Sequence, residues 1–179
     1  MKNQIQKPPK LNKNLTLTGM MGVGKSTIGK AVSKQLSMEF VDIDKIIEKK
    51  LKLTVQRIFE EKGEVFFRKI EEEVTLEEIK NKNRVISLGG GAFMNAKIRN
   101  RVILDTKSFW LYLEMDILEK RLLGSKKRPL LINQNVRIDL EKLYKERKGT
   151  YSLAHYKIDC NNLNANLITK KIITLYENN

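Results

Sequence analysis

One cysteine, one histidine, one tryptophan and three prolines are all that the 179 residues contain of those types. A lone Cys160 cannot close a disulfide within the chain, and with His155 as the single imidazole no Cys/His metal cluster can be assembled. Disulfide-stapled and zinc-ribbon folds are excluded, and a reducing cytoplasm is the expected compartment. No apolar run approaches the roughly 20 residues that a membrane-spanning helix needs, so no membrane partner is expected. The opening "MKNQIQKPPKLNKN" lacks the apolar core and cleavage site of a secretory signal. Residues 1–13 read as a basic, disordered arm and 14–179 as a single domain. Acidic residues are scarce too, 21 against 35 Lys and Arg, for a net charge of +14. That excess would suit nucleic acid. Its distribution does not: the basic residues mix with Glu in "EKKLK" and "EEIKNKNR" instead of forming a stripe interleaved with aromatics. A solvated basic surface that handles small anions fits better, and no nucleic-acid partner is expected.

Hydrophobic residues make up 41%, enough for a real core. "LTLTG" at 15–19 reads as a strand running into glycine, and Ile28, Val32 and Leu36 then recur as on a helix face. "EFVDI" is a second strand followed by a helix through Ile46, Ile47 and Leu51. Thr54 can cap a turn that stops at Gly63, with a further helix marked by Phe67, Ile70 and Val74. "RVISLGGG" and "SFWLYLEM" are further strands, "DILEKRLL" is a helix, and Val136 to Tyr151 is a long helix. "YKID" and a helix from about Ala165 to Tyr176 close the chain. Between them "GSKKRPLLINQN", about 124–135, has no periodicity and reads as a mobile lid. Alternating strands and helices predict an α/β fold: a parallel sheet with helices on both faces and ligands at the carboxyl ends of the strands.

Gly19 to Ser26, "GMMGVGKS", fits G-x-x-x-x-G-K-[ST] and lies between a strand and a helix, as a phosphate-binding loop must. Backbone N–H groups and the helix N-terminus would face the phosphates. Lys25 would reach the β and γ phosphates and Ser26 would ligate Mg2+. Gly22, Val23, Gly24, Lys25, Ser26 and Thr27 form the expected ATP-binding set. The loop does not name the acceptor. A short single domain with a lid-like segment and no "NKxD" points to a kinase of nucleotides or metabolites.

Asp42 and Asp44 leave the second strand, and if that strand persists to Asp44 both acids point the same way. One carboxylate could then hold the Mg2+ water shell while the other receives the acceptor hydroxyl. Asp44 could equally cap the following helix. Arg68 and Arg147 could clamp an acceptor carboxylate, or they could pair on the surface with Glu64, Glu71 and Glu146. Gly89, Gly90 and Gly91 would let a cyclic substrate approach the backbone, or merely form a turn.

In order and spacing, "GMMGVGKST", "DID", "GEVFFRKIE", "LGGG", "KKRPLL" and "ER" before a tyrosine resemble the shikimate kinase family over about residues 14–176. The resemblance implies a nucleoside-monophosphate-kinase-like P-loop fold with a five-stranded parallel sheet. It implies a cytoplasmic monomer that passes the ATP γ-phosphoryl to the 3-hydroxyl of shikimate, on the route to chorismate. By position, Asp44, Arg68, Gly90 and Arg147 would bind shikimate, with Gly89 and Gly91 beside them. Asp42 would reach Mg2+ through water. Arg128 would close over the phosphates, with Lys25 and Asp44 as its catalytic partners, and Arg121 would lie near the adenine or phosphates. Leu88 stands where the family often has Thr or Ser, and Gly149-Thr150 where it usually has Pro-Leu, which would loosen the turn behind Arg147. Asn164 is the candidate adenine contact. The alternatives are a kinase of another hydroxy acid such as gluconate, or a basic P-loop protein that binds nucleic acid.

Overall fold

The computed structural model describes residues 13–123 and 136–178. The strands are β1 (Asn14–Thr18), β2 (Glu39–Asp42), β3 (Arg84–Ser87), β4 (Thr106–Tyr112) and β5 (Tyr156–Asp159). They form one sheet in the order β2-β3-β1-β4-β5, every pair parallel. All five residues of β1 are buried, on both sides of the pleat, so the central strand is covered by helices on both faces. Polar groups at its start are satisfied locally. The buried Asn14 side chain donates to the carbonyls of Ile79 and Asn81 and accepts from the Arg84 amide.

Helix α1 (Lys25–Leu36) turns Ile28 and Val32 inward and packs on the C-terminal helix α7 (Ala165–Glu177). Helices α2 (Ile43–Leu51) and α3 (Val55–Lys80) follow β2, and Thr54 caps α3 by accepting from the Arg57 amide. A break at Gly63, whose φ of 81° favours glycine, divides α3 where the sequence placed a stop. α5 (Met115–Leu123) follows β4, and α6 (Val136–Tyr151) precedes β5. Among the described residues no helix is long and apolar enough to cross a membrane.

Two expectations are corrected. The second strand stops at Asp42 and α2 begins at Ile43, so strand alternation does not place Asp44. Asp42, not Asp44, is the N-cap of α2. The sequence reading also passed over α4 (Ala96–Asp105), which Asn95 caps and which buries Ile98 and Val102, four apart. Residues 1–12 of the basic arm, and the whole of the lid at 124–135 with Arg128, lie outside the described residues.

Candidate active site

β1 runs into the glycine loop at the carboxyl end of the sheet, beside β3 on one side and β4 on the other. Gly19 has φ 135°, and a Cβ there would lie 2.5 Å from the Leu111 carbonyl of β4, a backbone atom that cannot step aside. The loop therefore presses against the sheet and leads into the start of α1. Lys25 Nζ donates to the carbonyls of Gly19 (2.9 Å) and Met20 (3.0 Å), which holds its charge over the loop. Arg121, from α5, reaches across to the Val23 carbonyl at 3.4 Å.

Ser26 Oγ donates to Asp42 Oδ2 at 2.5 Å, joining the start of α1 to the end of β2. These are hard oxygen donors, the kind a Mg2+ ion prefers. Asp44 follows one residue into α2. Burial pushes its pKa up, the nearby Asp42 carboxylate adds to the rise, and Lys25 opposes it. Thus both acids meet the same cavity through a strand-to-helix turn, where the sequence reading had invoked a continuing strand. That cavity, about 710 Å³, is lined by Lys25, Ser26, Thr27, Asp42 and Asp44 together with Arg68, Gly89 to Gly91 and Arg147.

Arg68 donates through Nη1 to Glu71 Oε2 at 2.7 Å and through Nε to Glu64 Oε1 at 3.1 Å. The two ion pairs of Arg68 anticipated as the alternative to a clamp are therefore present. Glu71, however, is no surface partner: its side chain is 1% exposed and burial raises its pKa, with Arg68 as the main opposing influence. Among the described residues its Oε1 has no hydrogen-bond partner. Sequence spacing identified Glu71 as a neighbour of Arg68 but not its burial, which depends on the long-range approach of the Gly89 loop. A Cβ at Gly89 would lie 2.3 Å from Glu71 Oε1 and 2.9 Å from Asp44 Oδ1. Gly89→Ala should displace both carboxylates and lower kcat/KM by about a hundredfold, as an ångström-scale misplacement of acting groups does; steady-state kinetics on the variant would read it.

Arg147 is 8% exposed and donates to the Gly90 carbonyl at 3.3 Å. It lies inside α6, which continues through Gly149 and Thr150 to Tyr151, so these residues do not loosen a turn as the sequence suggested. Leu88 is buried in the core. Asn164 caps α7 by accepting from the Leu167 amide at 3.0 Å. His155 Nδ1 accepts from the Ser108 amide between β4 and β5.

A nucleotide-binding loop, two acids and two arginines around one cavity on this sheet define a P-loop kinase of the small-molecule class. The family model described as shikimate kinase matches residues 21–177. Curated shikimate kinases from Bartonella henselae and Bacillus subtilis are 37% and 38% identical to it, over 90% and 92% of this chain and 77% and 89% of theirs. The solved shikimate kinase of Acinetobacter baumannii, in complex with shikimate, superposes with a TM-score of 0.90 at 36% identity, covering 93% of this chain and 94% of that one. A deoxyadenosine kinase of M. mycoides, 19% identical with a TM-score of 0.60, shares the fold alone. The chain belongs to the shikimate kinase family.

Proposed function

We propose that this chain transfers the γ-phosphoryl group of ATP to the 3-hydroxyl of shikimate, giving shikimate 3-phosphate and ADP. The observation that carries the reading is the meeting, in one cavity, of the phosphate loop with two carboxylates, two guanidinium groups and a glycine triplet. Lys25 and the loop amides of Gly22 to Thr27 hold the ATP phosphates. Arg121, already over the loop, and Arg128, assigned by its motif, complete the cationic surround. Arg68 and Arg147 take the shikimate carboxylate, which requires Arg68 to exchange contacts with Glu64 and Glu71 for the ligand. Gly89 to Gly91 give the ring close access to the backbone.

Ser26 and Asp42 would hold Mg2+, Asp42 through water, and the ion would neutralise charge on the phosphates when bound. Asp44 accepts the hydrogen bond of the attacking hydroxyl and takes its proton as transfer completes. Because phosphoryl transfer has a loose transition state, orientation by Asp44 contributes more than early proton removal. The enzyme is further proposed to be a cytoplasmic monomer: its single cysteine offers no internal disulfide, and one chain supplies the described groups that line the cavity.

ADP release measured with shikimate, with gluconate and with neither tests the substrate. Strong stimulation by shikimate alone is expected; equal release in all three would refute the reading. Chelation with EDTA should abolish turnover and added Mg2+ should restore it, with Asp42→Asn requiring more Mg2+ for half-maximal rate. An unchanged Mg2+ requirement in that variant would remove Asp42 from the metal site.

A further inference from the structure

We infer that Tyr151 is a positioning residue for the acceptor side of the site, acting through Gly90 and Arg147; the inference rests on the functional reading above. Tyr151 ends α6 and is fully buried. Its hydroxyl donates to the Gly90 carbonyl at 2.5 Å and lies 3.8 Å from the Met20 sulfur in the phosphate loop. The same carbonyl accepts from Arg147 Nη1 at 3.3 Å. Phenol and guanidinium thus meet on one carbonyl, a triangle at the middle glycine of the triplet.

The triangle is tied to the nucleotide side as well. A Cβ at Gly90 would lie 3.4 Å from the Met21 amide and 3.8 Å from Arg147 Nη1, so this glycine sits between loop and clamp. The Tyr151 ring stacks on Trp110 with centroids 5.9 Å apart, and Trp110 Cδ1 lies 3.4 Å from where a Gly19 Cβ would stand. Burial pushes the Tyr151 pKa up to about 12, so the hydroxyl stays a donor at working pH. A buried tyrosine needs some partner for its hydroxyl. Here the partner is the Gly90 carbonyl, which Arg147 also uses, and that links the phenol to substrate geometry as well as to the core.

Tyr151→Phe keeps the ring stack and removes the donor. The Gly90 carbonyl then depends on Arg147 alone. The KM for shikimate should rise by about tenfold, the size expected for one buried hydrogen bond, while the KM for ATP stays within about twofold. Ile172→Val, a core change in α7 remote from the cavity, serves as the stability control. If it loses as much melting temperature and raises the shikimate KM as much, the effect is structural and the inference fails.

The wild-type chain offers a second readout that needs no variant. The Tyr151 hydroxyl proton, buried and bonded to the Gly90 carbonyl, should exchange slowly with water and give a proton resonance that shifts on adding shikimate and not on adding ADP alone. No shift with shikimate, or an unchanged shikimate KM in Tyr151→Phe, overturns the inference while leaving the functional reading intact. A wild-type chain that turns over ATP without using shikimate overturns both.

Discussion

Asp44→Asn is expected to lower kcat by about two to four orders of magnitude, the range for losing a positioned acid–base group, and at the same time to raise the melting temperature near neutral pH. The first effect follows from geometry. Asp44 lines the cavity beside Lys25, Asp42 and the glycine triplet, where an acceptor hydroxyl must meet the γ-phosphoryl group. An amide of the same size cannot take the proton. The second effect follows from the sign of its pKa shift, raised by burial and then by Asp42. A carboxyl with a folded pKa above its unfolded value binds more protons when folded, so stability declines as pH rises from about the ordinary aspartate value of 3.8 through the raised value. Above that window the ionised group is a liability that asparagine removes. Thermal melts from pH 4 to pH 8 should show wild type and variant alike at low pH and diverging as pH rises. A variant less stable than wild type at pH 7 would mean that Asp44 supports the fold, and its kinetic defect could no longer be assigned to chemistry.

Lys25→Met should cost about two to three orders of magnitude in kcat, the typical loss on removing a positioned transition-state donor. The ammonium group rests on the Gly19 and Met20 carbonyls. In the proposed reaction phosphate oxygens would replace those carbonyls. Methionine keeps the apolar stem without the charge. Gly19 and Met20 are buried, so the variant leaves their carbonyls without that donor and the melting temperature should fall by about a few degrees. Turnover within about tenfold of wild type would exclude Lys25 from phosphate charge stabilisation.

The fold was legible where local rules agree. Tyr156–Asp159 appears at the bounds its pattern predicted, and the helix stop at Gly63 is a positive-φ break. Helix α4 escaped because "MNAKIRN" carries a weak apolar stripe after an attention-drawing glycine triplet, although Asn95 was a readable cap. The two acids of "DID" line one cavity, but not through a continuing strand: a helix starts between them. Pairing was harder still. Glu71 lies three residues from Arg68 on one helix, but its burial is set by Gly89 in a different element, and the Tyr151–Gly90 bond spans 61 residues. Such contacts exist only after the sheet has brought β3 beside the phosphate loop.

The central claim is a phosphoryl transfer to one hydroxyl of one acceptor. Its most direct test is to incubate the purified chain with ATP, Mg2+ and shikimate and follow the mixture by phosphorus and proton NMR. The account predicts one new phosphate monoester, coupled to the proton on shikimate carbon 3 and formed in equal amount to ADP. ADP accompanied only by inorganic phosphate, or an ester at another carbon, would contradict it.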